Sequence, residues 1–209
     1  MSETDVGEIG MTPFEPLGIT PSQTVGPFFA FSLTPGGKYA FETLVGDDLV
    51  TDDTVGGAIR IEGRVYDGNG EPVPDTMVEI WQADGAGRYS GSIPPPNTTF
   101  KGFGRCGCDA GGGYAFRTVK PGLVAAPDGG RQAPHINVGV FARGVLRRMF
   151  TRIYFADEPA NEGDPVLRLV AAERRATLLA RRDGSVDGMP RYILDIRLQG
   201  ENETVFFEA

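Results

Sequence analysis

Hydrophobic and polar residues alternate with a period of two from Ala58 onward, as in a strand with one buried face. Ile59, Ile61 and Val65 fall on one face, and charged residues separate them. Similar patterns or short apolar runs predict further strands at residues 77–81, 114–119, 135–142, 149–155, 192–198 and 205–207. Glycine-rich turn sequences separate these segments. The pattern therefore predicts an all-β fold, an antiparallel β-sandwich with short, closely spaced strands.

One region departs from this pattern. Asp164 followed by Pro165 offers a helix N-cap and a first-turn proline, and apolar residues then alternate with arginines. We therefore predict short helices between about 165 and 181.

The chain before Ala58 has a different organisation. Residues 1–19 carry no periodic pattern and are predicted to form a flexible N-terminal extension. Residues 20–57 are predicted to form an extended docking arm and a connecting segment. The aromatic run near Phe28 and Phe29 would be costly to leave in water. Residues 58–209 are predicted to form the β-sandwich domain.

Composition narrows the classes of partner. The 209 residues include 40% apolar residues, and the formal net charge is -8. That size suits one domain, and the acidic balance argues against nucleic acid and membrane surfaces as partners. The first residues are acidic and polar and lack the pattern of a signal peptide. The two cysteines, Cys106 and Cys108, are too close together for an ordinary disulfide, so we expect a reduced, cytoplasmic protein.

The residue types limit the chemistry. His135 is the only histidine, and no G-x-S-x-G, G-x-G-x-x-G or P-loop sequence is present. On a strand, residues 135 and 137 point to the same side, so two ligands there could hold a metal. The second position is Asn137, whose amide is a poor ligand beside imidazole. From the residues alone, a hydrogen-bonded pair of His135 and Asn137 is favoured over a metal site.

A family resemblance rests on short motifs that occur in order along the chain. They are TPSQTVGP (20–27), GRVYDGNG (63–70), EIWQAD (79–84), FGR (103–105), TVKPG (118–122), APHIN (133–137), FARG (141–144) and GENETVFF (200–207). Through them, the chain resembles the intradiol ring-cleaving dioxygenases over roughly residues 20–209. Each motif is weak alone, but their joint occurrence is specific.

The resemblance implies a degenerate metal site. Catalytic members hold ferric iron with two tyrosines and two histidines, donors that suit this hard ion. Tyr89, in a Gly-Arg-Tyr context, and His135 match two of those positions. Val124 and Asn137 stand at the other two, and Gln132 stands where the family has an arginine before the first histidine. The resemblance therefore implies that this chain alone has no complete metal site and no catalytic residues.

The same resemblance implies a partner. It is closest to the α-type, non-iron-bearing subunit of the hetero-oligomeric members, whose homologous β-type subunit binds the ferric iron. Such members cleave protocatechuate (3,4-dihydroxybenzoate) with O2. By match, Thr24, Gly26 and Pro27 of the arm and Arg143 would complete the substrate pocket of the partner. Arg143 could offer its charge to the substrate carboxylate.

Two other functions stay open on the sequence. The strand-and-turn pattern at residues 61–67 also suits a β-sandwich binding or scaffold module without enzymatic activity. A homomeric iron enzyme with an altered ligand set ranks last, because Val124 and Asn137 remove two strong donors at once.

Overall fold

The computed structural model describes residues 33–35, 42–92, 98–126 and 129–208. These ranges contain eleven strands and three short 3-10 helices. The strands are β1 (Ala58–Tyr66), β2 (Met77–Gln82), β3 (Phe103–Gly107), β4 (Gly113–Val119), β5 (Val124–Ala125), β6 (Arg131–Gln132), β7 (His135–Phe141), β8 (Met149–Phe155), β9 (Leu179–Val186), β10 (Met189–Ile193) and β11 (Ile196–Arg197). The 3-10 helices are Pro159–Gly163, Leu167–Leu169 and Ala172–Leu178.

Nine of these strands form one mixed sheet. Hydrogen bonds run along the order β11-β1-β10-β9-β8-β7-β2-β3, and β4 also pairs with β1. The two short strands β5 and β6 pair separately. Strand β9 joins the two halves of the sheet, because it pairs with both β8 and β10.

A short segment before β1 closes the gap between β3 and β4. The Gly46 carbonyl accepts from the Arg105 amide of β3 at 2.9 Å, and the Asp47 carbonyl accepts from the Arg117 amide of β4 at 2.8 Å. The Leu49 amide in turn donates to the Arg117 carbonyl at 2.8 Å. The nearly closed sheet therefore uses residues that we had predicted to be part of a connecting segment.

One hydrophobic core lies inside this sheet. Its side chains come from both halves of the strand order, for example Ile61 of β1, Phe116 of β4, Ile80 of β2 and Val138 of β7, all almost fully buried. Burying side chains of this size contributes about 1.5–3 kcal/mol each. A second, smaller cluster packs the 3-10 helices against β8 through Ala133, Tyr154, Leu167, Val170 and Leu178.

The mostly β fold and five of the predicted strands, those matching β1, β2, β4, β7 and β8, are confirmed. The expectation of purely antiparallel pairing is wrong. Strand β1 pairs in parallel with β10 and β11, and β8 pairs in parallel with β9. Parallel neighbours need long connections. Here most of the chain lies between β1 and its parallel partners.

Three further predictions need correction. The predicted strand at 192–198 is divided into β10 and β11, because the Asp195 carboxylate turns to accept from the Arg64 amide at 2.9 Å. The segment 205–207 makes only a single bridge, between Phe207 and Phe150. The helices within 165–181 are short 3-10 turns that end at 178, because pairing with β8 draws Leu179 into β9.

The extension at 1–19 and the arm at 20–29 lie outside the described residues, so these predictions stay as they were.

Candidate functional site

The structure brings Tyr89, His135 and Asn137 together, and we call these three residues the degenerate cluster. The two residues of β7 point to the same side of the sheet, and Tyr89 reaches them from the loop after β2. The Tyr89 hydroxyl lies 3.5 Å from His135 Nε2. Asn137 Nδ2 donates to that hydroxyl at 3.0 Å and to the Trp81 carbonyl at 3.2 Å. His135 and Asn137, which the sequence analysis pairs directly with each other, therefore both contact the Tyr89 hydroxyl, and Tyr89 lies between them.

A tight turn holds Tyr89 in place. The Asp84 carboxylate accepts from the amides of Ala86 at 2.9 Å and Arg88 at 3.0 Å, which fixes the loop just before Tyr89. Gly87 has a φ of +79°, and a Cβ there would lie 2.0 Å from the Leu123 carbonyl oxygen. Only glycine allows this backbone path, so the loops at 84–88 and 121–123 pack directly on each other.

The environment of His135 keeps its ring neutral. Its side chain is buried, and Nδ1 lies 2.7 Å from the Ala133 carbonyl. A carbonyl only accepts, so Nδ1 carries the proton and the Nε2 lone pair faces Tyr89. Burial, followed by the charge of Arg152, lowers the pKa of His135 to about 4. Burial raises the pKa of Tyr89, so the phenol also stays uncharged near neutral pH.

Val124 joins the cluster through its neighbours. In the two-stranded ladder of β5 and β6 it pairs with Gln132. The Gln132 side-chain oxygen accepts from Arg152 Nη1 at 2.7 Å, and Arg152 lies opposite Asn137 in the pairing of β7 with β8. Strand pairing therefore places Val124 next to Gln132, and Gln132 is hydrogen-bonded to the arginine that lies opposite Asn137.

Arg152 is the residue that sequence reasoning missed. Its guanidinium also donates to the Tyr154 hydroxyl at 3.3 Å, and that hydroxyl donates to Asp164 at 3.0 Å. The buried Asp164 carboxylate accepts in turn from the Ala133 amide at 2.8 Å, just before β7. In the sequence Arg152 is an ordinary polar residue of an alternating strand, and only strand pairing places it beside Asn137.

These residues do not fit ferric iron. Tyr89 oxygen and His135 Nε2 could serve as donors, but Asn137 presents N–H hydrogens and Val124 has no donor atom. The nearby Arg152 adds a positive charge, which opposes binding of a cation. Elsewhere in the described ranges, no group of three or more His, Cys, Asp or Glu side chains is arranged to hold a metal. The degenerate site implied by the motifs therefore has the chemistry of a hydrogen-bonded packing site.

Arg143 lies apart from this cluster. It sits in the turn after β7, its side chain is 78% exposed, and its Nε lies 3.2 Å from the Asp75 carboxylate. That position leaves it available to a partner chain, although its predicted pocket role stays a prediction. The predicted pocket residues Thr24, Gly26 and Pro27 lie outside the described residues.

Comparison with known proteins decides the family. A family model described as dioxygenase matches residues 36–200. The protocatechuate 3,4-dioxygenase alpha chain of Burkholderia cepacia is 46% identical over 195 residues, which cover 91% of this chain and 97% of that protein. The chain belongs to the intradiol ring-cleaving dioxygenase family. The resemblance inferred from the motifs is thereby confirmed.

Two further relatives extend the comparison within the intradiol dioxygenases. The protocatechuate 3,4-dioxygenase beta chain of Burkholderia cepacia is 36% identical over 163 residues, covering 73% of this chain and 68% of that protein. The solved dioxygenase domain of a carbohydrate-binding fusion protein from Streptomyces sp. SirexAA-E superposes with a TM-score of 0.58 at 27% identity. The superposition covers 87% of this chain and 98% of that domain.

Among the described residues, none of the helices has the length and apolar character needed to cross a membrane.

Proposed function

We propose that this chain is the α-type, non-iron-bearing subunit of a protocatechuate 3,4-dioxygenase. With a homologous β-type subunit that binds ferric iron, it would cleave protocatechuate between the two hydroxyl-bearing carbons. Both atoms of O2 enter the product, 3-carboxy-cis,cis-muconate. The observation that carries the proposal is the 46% identity to an alpha chain over nearly the full length, against 36% to the beta chain of the same organism.

The degenerate cluster supports the same assignment. Asn137 donates where a metal ligand would have to offer a lone pair, so Tyr89 and His135 serve as packing residues of this chain. When bound in the partner, ferric iron would supply coordination of the catechol oxygens and activation of the ring towards O2. The contribution of this chain would then be to line the substrate pocket of the partner and to place a positive charge in it.

Two parts of the chain are proposed to do this. Thr24, Gly26 and Pro27 would present arm backbone close to the substrate, which glycine permits sterically. Arg143 would direct its guanidinium at the substrate carboxylate, exchanging its surface ion pair with Asp75 for a bidentate one. Its high exposure supports this role, because a solvent-facing side chain can reach across an interface without disturbing its own core.

The remaining expectations belong to the same proposal. We propose a cytoplasmic location and no nucleic-acid partner, in line with the net charge of -8. We further propose that the nearly closed sheet has the architecture of a β-sandwich. The observation that supports this is that the two halves of its strand order bury one main core between them.

Reconstitution tests the proposal. The full-length chain is expressed alone and together with a homologous chain that carries two tyrosines and two histidines at the ligand positions. Iron content, the visible tyrosinate-to-iron absorption, O2 uptake and carboxymuconate formation are measured. All four signals are expected only from the mixed oligomer. Ring cleavage by the isolated chain would show that the proposal is wrong, and failure to recover a homologous chain from native extract would favour a non-enzymatic module.

A further inference from the structure

The two surviving donors of the degenerate cluster are still close to a coordinating arrangement. Tyr89 oxygen and His135 Nε2 lie 3.5 Å apart, and the second ring nitrogen of the histidine is fixed by the Ala133 carbonyl. Two donors bound at about 2.0–2.1 Å to one ion at a right angle would be roughly 3 Å apart. A shift of about half an ångström between these two side chains would therefore let them bind a metal ion weakly. The loss of the other two ligands does not by itself prevent metal binding.

The positive charge of Arg152 is a second feature that opposes metal binding. Its guanidinium is held by the Gln132 oxygen at 2.7 Å and the Tyr154 hydroxyl at 3.3 Å. Both partners are neutral, and across the described ranges the ion pairs do not include Arg152. Its positive charge is therefore not matched by a directly bonded carboxylate. The nearest link to one runs through Tyr154 to Asp164.

This charge acts on both surviving donors. After burial, Arg152 is the next cause that lowers the pKa of His135, and it also opposes the burial that raises the pKa of Tyr89. The Asp164 carboxylate acts on the pKa of His135 in the opposite direction, but its effect is smaller than that of Arg152. The net effect of these two charges disfavours a proton on His135, and it disfavours a divalent or trivalent ion there more strongly, because repulsion grows with the charge of the ion.

The position of the guanidinium differs from the arrangement that the family motif implies. The motif has an arginine immediately before the first histidine, where this chain has Gln132. Here the guanidinium comes from β8, and it lies opposite Asn137 in the strand pairing. We propose that Arg152, braced by Gln132 and Tyr154, is a specificity-determining residue that excludes metal cations from the degenerate cluster, in addition to the loss of two ligands. The inference concerns this chain alone and holds whether or not a β-type partner exists.

Restoring the ligands with and without Arg152 tests this inference. The full-length double variant Val124→Tyr and Asn137→His is compared with the same variant carrying Arg152→Gln. Ferric iron and Co2+ are the probes, and binding is followed by metal analysis after dialysis and by visible absorption. We expect the Arg152→Gln substitution to tighten binding of each metal by roughly tenfold or more.

Two matched controls separate charge at this position from other effects. Arg152→Lys in the ligand-restored background keeps the charge and should keep binding weak. Arg182→Gln removes an exposed positive charge on β9, away from the cluster, and should leave binding unchanged. Equal metal affinity with arginine or glutamine at position 152, or equal tightening by Arg182→Gln, would overturn the inference.

A second measurement covers the case in which the multiple variants do not fold. The single variant Arg152→Gln keeps every other natural residue, and His135 gives the only histidine signal of the chain. Paramagnetic broadening of that signal by Co2+ is titrated in the variant and the unmodified chain. The variant should reach half-broadening at a Co2+ concentration roughly tenfold lower. Identical titration curves would contradict a role for Arg152.

Discussion

The side-chain nitrogen of Asn137 lies 3.0 Å from the hydroxyl oxygen of Tyr89 and donates a hydrogen bond to it. The same nitrogen lies 3.2 Å from the Trp81 carbonyl, which can only accept, so the orientation of the amide is determined by its surroundings. Where the family motif would place the lone pair of a second histidine, this chain places two N–H bonds.

A double-mutant cycle tests this contact. Asn137→Leu removes the donor while keeping the size of the side chain, and Tyr89→Phe removes the acceptor. We expect Asn137→Leu to lower the free energy of unfolding by about 1–3 kcal/mol, because the hydrogen bonds to the Tyr89 hydroxyl and to the Trp81 carbonyl are both lost. The coupling between the two substitutions should be about 0.5–1.5 kcal/mol. Urea unfolding followed by fluorescence of Trp81, the only tryptophan, measures both, and strict additivity would contradict the contact.

Gly87→Ala tests the turn that positions Tyr89. An alanine Cβ would meet the Leu123 carbonyl at 2.0 Å, at a φ of +79°. Gly188→Ala is a matched control, because its φ is +76° and nothing lies within 4 Å of the added Cβ. We expect the control to cost about 1–2 kcal/mol of unfolding free energy, from backbone strain alone.

The loss at Gly87 should exceed that of the control by at least about 2 kcal/mol, since backbone must move as well. It should also change the emission of Trp81, whose ring lies 4.7 Å from that of Tyr89. Equal losses at the two glycines would show that the loops at 84–88 and 121–123 do not pack as described.

The buried histidine predicts a defined dependence of stability on pH. The pKa of His135 falls from 6.5 to about 4 on folding, so between these values the unfolded chain binds the extra proton. Stability from this group is therefore fully present above pH 6.5 and is lost as the pH falls towards 4. The loss amounts to roughly 3 kcal/mol at 1.36 kcal/mol per pKa unit.

Comparison with His135→Gln isolates this contribution. The other ionisable groups are common to both proteins, so their contributions largely cancel in the difference of unfolding free energies. That difference should shrink by roughly 3 kcal/mol between pH 7 and pH 4. The histidine carbon-13 signal should also keep its neutral shift down to about pH 5. A protonated signal at pH 6 would be the opposite result.

Arg143→Ala tests the proposed pocket role in the mixed oligomer. Loss of a charge-assisted bidentate contact should raise the KM for protocatechuate by roughly tenfold or more, with a smaller effect on catechol, which has no carboxylate. Arg182→Ala, at an exposed position on β9, is the control and should leave both constants unchanged. Stability of the isolated chain should change by less than about 1 kcal/mol, since the ion pair with Asp75 is exposed. Equal KM changes for the two substrates would argue against carboxylate recognition.

Local patterns were sufficient for the strands with clear alternation. Ile59, Ile61 and Val65 mark β1 because each inward residue is apolar and each outward one is polar or small. Strand β3 was missed because its sequence FGRCG contains two glycines and no alternation, and it is stabilised by pairing with β2 and contact with the segment at 46–49. Strand β9 was missed because its residues are mostly polar and exposed, so its pairing with β8 and β10 determines its conformation.

For the site, the sequence by itself determined which side chains are present. The motifs identified Tyr89, Val124, His135 and Asn137 as positions of a degenerate site, and residue chemistry alone showed that Val124 could not be a metal ligand. The spacing of His135 and Asn137 also placed them on one side of a strand, because side chains alternate along β structure.

Only the tertiary structure decided what replaced the missing ligands. The approach of Tyr89 depends on packing between loops more than thirty residues apart in sequence, and the position of Arg152 depends on the pairing of β7 with β8. Long-range register of this kind is set by the whole core, because shifting a strand by one residue would turn each of its side chains to the opposite face. The sequence therefore indicated a site that lacks two of its four metal ligands, and the fold showed a hydrogen-bonded cluster beside a guanidinium that Gln132 and Tyr154 hold.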